Sequence, residues 1–436
     1  MKVPRFDTRD ASFGPAWERL VARRDGPNDD RVVEDTRKIV EQVKSGGDPA
    51  LVALTAHFEQ RPGLTAAELE VPRSEWDLAL GRLSPELREA LERAAARIRA
   101  FHGLQRGDLL ETHLDDGRGI VAELLVRPLA RVGLYVPGGT AAYPSTVLMN
   151  ALPAKVAGVP EVVMVTPAKG GQIADPVLAA AAIAGVDRVF GIGGAQAVAA
   201  LAYGTQSVPA VDKIVGPGNA WVQEAKRQVY GQVDIDTIAG PSEVLIVADE
   251  SADPQVVAAD LLAQAEHDVR SAALLVTWVP ALADQVATAL AEQVATLPRA
   301  KEASAAIMGR GGVVCCRDRN EALALANHYA PEHLGLAVEQ PRQALAQIDN
   351  AGAVFLGHHT PEALGDYNAG VNHVLPTSGA ARFGSPLSVH DFVKRTSVLA
   401  VEVQGLLRIG DDAVRLARAE GLEAHARAIE LRQKRG

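Results

Sequence analysis

The 436-residue sequence has only two cysteines, and they are adjacent: Cys315 and Cys316, in the apolar run Gly312 to Cys316. Neighbouring thiols cannot close loops, so a disulfide framework is excluded, and the pair reads as part of a buried strand. Long hydrophobic runs are also missing, since none approaches the roughly 18 residues of a membrane helix. Met1 to Asp10 are charged and include Pro4, so neither a signal peptide nor an anchor is expected there, and a cytoplasmic location is the expectation. Nor is there an excess of basic residues. The net charge is −10 with a pI near 5.6, which argues against a general binder of phosphate backbones, and no nucleic-acid or membrane partner is expected. What remains is a chain with 47% hydrophobic and 22% charged residues, long enough for two or three compact units.

Residues 1–115 read as mainly helical. Apolar residues recur at helical spacing from Asp30 to Lys44 and stop at Gly46-Gly47, and Ser74 precedes Asp77 in a capping-box pattern. Ser84-Pro85 then predicts a helix start, with Leu87, Leu91, Ala94, Ala95 and Ile98 as its apolar stripe. From about Arg118 the pattern changes to short β-rich runs alternating with alanine-rich helices. Arg131–Val136, Glu161–Val165 and Asp187–Gly191 read as strands, with a helix over Leu178–Ala184. A second series runs through Ser242–Ala248, Ala272–Thr277, Gly312–Cys316 and Ala353–Leu356. This alternation predicts βαβ units and a mainly parallel sheet. Val189-Phe190-Gly191 and Val354-Phe355-Leu356-Gly357 each run into a glycine turn, a hint of internal duplication. After Pro376 the chain reads as loop-rich, closing with helical runs near Asp411–Ala419 and Leu422–Arg432.

Three glycine turns follow strands: Pro137-Gly138-Gly139, Gly191-Ile192-Gly193-Gly194-Ala195-Gln196 and Gly216-Pro217-Gly218-Asn219. The second is a broken dinucleotide fingerprint, with Gln196 where glycine or alanine belongs. Any one of these could be a tight turn and nothing more. Together, after parallel strands, they favour a nucleotide or phosphate ligand approached by backbone N–H groups.

Eight of the 11 histidines fall between His267 and His425, a clustering that suggests a site. A helix starting at Asp253-Pro254 would put Gln264 and His267 on one face. Glu332-His333, held by Pro331, offers a water-activating base beside a proton shuttle, although an isolated Glu-His pair is commonplace on surfaces. Asp366 falls in a turn-rich stretch where an ordinary Asx-turn competes with a positioned carboxylate, and His425 lies on the last helix. Gln264, His267, Asp366 and His425 would together supply two nitrogens and two oxygens, a set suited to zinc, manganese or cobalt at a catalytic or substrate site.

These segments, with Ala239-Gly240-Pro241-Ser242-Glu243, Tyr329 to Leu334, Gly365 to Thr377 and Ala419 to His425, give a chain that resembles the histidinol dehydrogenase family over nearly its whole length. The resemblance implies an α/β fold of two incomplete Rossmann-like parallel-sheet units with helical N-terminal and small C-terminal appendages. The divisions fall at 1–115, 116–238 (first, NAD-binding unit), 239–375 (second unit, with metal and catalytic residues) and 376–436 (an arm reaching the partner's site). It implies a zinc-bound, NAD-dependent enzyme that oxidises L-histidinol through the aldehyde to L-histidine with two NAD, as an intertwined homodimer. By the same resemblance Tyr135, Gln196 and Asn219 contact NAD. Gln264, His267 and Asp366 hold zinc with His425 from the other subunit, and these ligands with Ser242, His333 and Glu420 contact the substrate. Glu332 activates water and His333 is the general base. A relative acting on another polar alcohol, or a zinc hydrolase working without NAD, stands as the alternative.

Overall fold

The structure, a computed structural model, describes residues 1–22, 30–107, 109, 111–138 and 142–435. Gly139 of the first glycine turn lies outside the described residues. In chain order the strands are β1 (Arg5–Asp7), β2 (Thr112–Asp115), β3 (Ile120–Pro128), β4 (Arg131–Tyr135), β5 (Glu161–Thr166), β6 (Arg188–Gly191) and β7 (Lys213–Val215). They continue with β8 (Asp234–Ile235), β9 (Glu243–Ala248), β10 (Ala272–Thr277), β11 (Gly312–Cys315), β12 (His333–Ala337), β13 (Ala353–Leu356) and β14 (Val393–Val401).

Two parallel sheets carry the fold, ordered β6-β5-β4-β7-β8 and β1-β11-β10-β9-β12-β13. Numbered within each series, β4 to β8 and β9 to β13 both run third, second, first, fourth, fifth, which is the Rossmann order without its sixth strand. β1, from the N-terminal region, extends the second sheet beside β11. The same strand order is therefore repeated in the two sheets, and it matches β6 with β11 and β8 with β13. The expected match of Val189–Gly191 with Val354–Gly357 is corrected, because it pairs a third strand with a fifth.

Both sheets are covered by helices, which explains why their strands are continuous apolar runs rather than alternating ones. Val162, Val163, Met164 and Val165 of β5 are all buried, as is every residue of β9 and β10. Cys315 closes β11 and Cys316 follows it; both are free thiols, and burial pushes Cys316 up to about 12, so it is an inert part of the core at neutral pH.

Among the N-terminal helices, the predicted stop at Gly46-Gly47 is a kink at Gly47, φ 56°, inside a longer helix Asp30–Phe58. Ser84 caps Pro85–Arg106 by accepting from the Leu87 N–H at 3.2 Å. Leu91, Ala94, Ala95 and Ile98 are buried there, whereas Leu87 is exposed. Ser74 is no cap: it lies within the helix Arg73–Arg82, which follows Pro72 without side-chain capping. The predicted loop-rich stretch after Pro376 contains β14, which pairs antiparallel with β3 from Val393 opposite Pro128 to Val401 opposite Ile120; β2 flanks β3. The helices Val403–Ala419 and Glu423–Gln433 follow, the first starting well before the predicted Asp411. Among the described residues no helix is long and apolar enough to cross a membrane.

Candidate active site

At the C-terminal edge of the first sheet, Tyr135 ends β4 almost fully buried, and its hydroxyl accepts a hydrogen bond from the Gly194 N–H at 3.0 Å. Burial pushes its pKa up to about 12, so it is a neutral phenol. Gly193 is required: a Cβ there would stand 2.4 Å from Pro167 Cγ. Its N–H donates to the buried Glu59 carboxylate at 2.7 Å, and the Ala168 N–H donates to the other oxygen at 2.7 Å. The expectation that this turn offers its N–H groups to a phosphate is thus overturned at Gly193 and Gly194, since both donors end on protein groups. Gln196 is buried in the helix Gly194–Tyr203 that follows.

The turn after β7 is locked differently. Lys226, buried, donates to the Gly216 carbonyl at 3.0 Å and pairs with Asp236, whose other oxygen accepts from the Gly216 N–H at 2.7 Å. Gly216, φ 112°, admits no side chain because a Cβ would fall 2.1 Å from the Tyr135 carbonyl oxygen. Asn219 is exposed and caps the next helix, accepting from the Val222 N–H at 3.1 Å. Beside these turns a cleft of about 1420 Å³ is lined by Glu59, Pro137, Gly138, Thr166, Pro167 and Gly191 among others. That is ample for a dinucleotide.

The second sheet places its polar residues at the opposite, N-terminal edge. The helix Arg319–Tyr329 stops at Ala330, φ 49°, and after Pro331 the chain passes through Glu332 into β12, which begins at His333 and lies between β9 and β13. Both are buried. Glu332 accepts from the Glu243 N–H at 2.9 Å, and the His333 Nδ1–H faces the Glu243 carbonyl at 3.2 Å. Nδ1 also lies 3.8 Å from Glu332 and 4.0 Å from Glu362, while Nε2 is 3.7 Å from Asp366. The Phe355 ring packs on the imidazole, centroids 5.8 Å apart.

Burial pushes Glu332 up to about 7 and Glu362 up to about 8, with the His333 charge opposing both shifts. Burial works against a charged His333, but the Glu332, Asp366 and Glu362 carboxylates outweigh it and favour the imidazolium. Burial likewise works against Asp366, and the His333, His373 and His267 imidazoles hold it below the usual carboxylate range. Such mutually shifted groups gathered at one edge make it the candidate site.

Gln264 is in the last turn of the helix Pro254–Ala265. His267 lies just past the helix end rather than on it, and its N–H reaches the Gln264 carbonyl at 3.3 Å, which extends the turn. The residue is exposed. Asp366 belongs to a short helix, Glu362–Tyr367, not to the predicted turn, and its backbone carbonyl accepts from His373 Nδ1 at 2.9 Å. Ser242, half-buried, immediately precedes β9. Glu420 and His425 are exposed, and no hydrogen bond or ion pair among the described residues joins them to Gln264, His267 or Asp366. No group of three or more His, Cys, Asp or Glu among the described residues is placed to hold a metal. The donor types nonetheless suit a cation, and Gln264 Oε1 is buried without a hydrogen-bond partner, an acceptor left for one.

Glu362, His373 and Glu59 are the side chains that sequence reading missed. Glu362 had a signal, standing four residues before Asp366, a spacing that brings two side chains together once the segment is helical.

Two Rossmann-ordered sheets, one with a cleft at its strand ends and the other with a buried Glu-His pair, place the protein among the α/β enzymes. Comparison with known proteins is specific: residues 22–433 match the histidinol dehydrogenase family, and the chain belongs to it. Histidinol dehydrogenase of Syntrophotalea carbinolica is 52% identical, covering 100% of this chain and 99% of its own, and that of Pseudomonas fluorescens is 51% identical over 99% and 97%. The crystal structure of histidinol dehydrogenase from Elizabethkingia anophelis superposes with a TM-score of 0.92 at 34% identity, covering 99% of this chain and 98% of that one.

Proposed function

We propose that the protein oxidises L-histidinol through L-histidinaldehyde to L-histidine, transferring four electrons to two NAD in turn at one zinc-bound site. The observation that carries the reading is the buried Glu332-His333 pair facing Asp366, in a chain of this family. When bound, NAD would supply the hydride acceptor, and zinc would supply positive charge that offsets Asp366 and helps to position the substrate. Gln264, His267 and Asp366 would hold that metal, with His425 of a second copy as the fourth ligand.

With the charge of Asp366 offset by a bound cation, one of the carboxylates that favour the His333 imidazolium is neutralised, and the neutral imidazole takes the proton of the substrate hydroxyl as the first hydride leaves. Its Nδ1–H, directed to the Glu243 carbonyl, leaves Nε2 for this task. Glu332 then takes a proton from the water that adds to the aldehyde carbon, and the hydrate loses the second hydride. A carboxylate whose pKa is raised to about 7 is matched to that step near neutral pH. No thiol is required, in keeping with burial that pushes both the Cys315 and the Cys316 thiol up. Tyr135, Gln196 and Asn219 contact NAD, and Ser242, His333 and Glu420 contact substrate.

A homodimer with shared sites is part of the proposal, supported by the exposure of Glu420 and His425. So are a cytoplasmic location and the division at 1–115, 116–238, 239–375 and 376–436. Strands β4 to β8 fall in the second of these parts and β9 to β13 in the third. The test is NADH formed per histidinol consumed by the purified protein, with and without a chelator. Two NADH per substrate, lost on chelation and restored by zinc, is the expected result. A folded, zinc-loaded dimer that forms no NADH from histidinol would move the assignment to another polar alcohol.

A further inference from the structure

The long N-terminal helix Asp30–Phe58 delivers one more group to the first sheet's C-terminal edge. Glu59, the next residue, is only 6% exposed, and its two carboxylate oxygens accept from the N–H groups that follow β5 and β6, Ala168 and Gly193, each at 2.7 Å. Gln60 beside it has φ 56°, a left-handed conformation that non-glycine residues seldom adopt. Through that turn Arg61 reaches back to donate to the Gly191 carbonyl at 2.7 Å. Two residues flanking an unfavourable backbone conformation therefore clamp both ends of the 191–193 turn. The next donor, the Gly194 N–H, is held by the Tyr135 hydroxyl.

In a complete dinucleotide fingerprint the N–H groups at this position face the cofactor's diphosphate. Here a carboxylate of the chain itself takes them, on the positive end of the helix Gly194–Tyr203 where an anion is favoured. We infer that Glu59 is a positioning residue: its carboxylate stands in for a phosphate, fixes the 191–194 turn, and through Gly194 sets the Tyr135 hydroxyl for the cofactor. The cofactor's diphosphate then lies off this turn. The inference rests on the NAD site proposed at Tyr135, Gln196 and Asn219.

The test compares full-length wild type with Glu59→Ala, checked for folding by circular dichroism and melting, in direct NAD binding and in steady-state kinetics. We expect the NAD dissociation constant to rise about tenfold, with kcat at saturating NAD and KM for histidinol within about twofold of wild type. Acetate in the tens of millimolar should restore most of the NAD affinity by refilling the vacated position, and chloride at the same ionic strength should not. Unchanged NAD affinity in Glu59→Ala, or equal response to acetate and chloride, overturns the inference while leaving the NAD reading intact. Absence of NAD binding by the wild type overturns both. If Glu59→Ala fails to fold, Glu59→Gln decides: with one acceptor left it should bind NAD several-fold more weakly, and wild-type affinity would overturn the inference.

Discussion

The sheets β6-β5-β4-β7-β8 and β1-β11-β10-β9-β12-β13 share one strand order yet work at opposite ends. The first gathers its polar groups where the strands finish, at Tyr135, Gly193 and Gly216. The second gathers them where the strands start, at Glu243 and His333, with Gln264 and Tyr329 at the ends of the returning helices. Helix polarity accounts for the division of labour. Strand C-termini face helix N-termini, which favour anions, and there Glu59 is held. Strand N-termini face helix C-termini, which favour cations, and there lie the imidazolium-favouring His333 and the donor set suited to a metal. One strand order thus yields two chemically unlike edges, and that order alone does not say which edge a given sheet uses.

The sharpest way to break the contrast is Glu332→Gln, which removes a base from the second edge and leaves the first untouched. Oxidation of the aldehyde should fall by about 10²- to 10⁴-fold, the usual worth of a positioned base, while NAD affinity stays the same. Single-turnover NADH formation from histidinol and from histidinaldehyde separates the two half-reactions, and the alcohol half should suffer less. The pH profile gives a second reading of the same group. Glu332, raised to about 7, is neutral below that pH and charged above it, so aldehyde oxidation should climb as pH rises through about 7 and then level. That acidic limb should vanish in Glu332→Gln. An unchanged limb would assign it to another group.

The next effect is on stability and belongs to the first edge. Lys226→Met strips the partner from Asp236, whose side chain is 4% exposed, and stability should drop by about 3 to 5 kcal/mol, the usual cost of an uncompensated buried charge. Asp236 also holds the Gly216 N–H, so the loss should reach NAD binding before histidinol binding. Chemical denaturation with parallel KM measurements would show it. A variant as stable as wild type would mean that water reaches the pair.

How much of this was legible follows from the same physics. The bounds of β10 and β13 read off as Ala272–Thr277 and Ala353–Leu356, because an apolar run between turns needs nothing but burial. β12 escaped, since His333 and Gly335 interrupt its apolar residues, although it carries His333 and starts directly after Glu332. β14 escaped for the opposite reason: Lys394, Arg395 and Thr396 are exposed, and only the ladder with β3 makes the segment a strand. Within the site, Glu332-His333 was visible as a dipeptide and Gln264 with His267 as a spacing. Asp366 was expected in a turn, and only its helix reveals Glu362 as a companion. Glu59 left no trace in the sequence, because its partners are backbone N–H groups far along the chain.

The smallest expected effect sharpens the comparison most, since it asks whether the two edges are separable. Tyr135→Phe keeps the ring in the core and deletes only the oxygen that accepts from the Gly194 N–H. A net hydrogen bond of this kind is worth about 1 kcal/mol, so NAD binding should weaken by about fivefold. If the first edge serves the cofactor alone, KM for histidinol and the acidic limb assigned to Glu332 stay where they are. A rise in histidinol KM equal to that for NAD would instead mean that the 236–242 link, tied to the first sheet by the Ala239 N–H on Gln223 and to the loop beyond Asp366 by the Gly240 N–H on Thr377, transmits a change at one edge to the other.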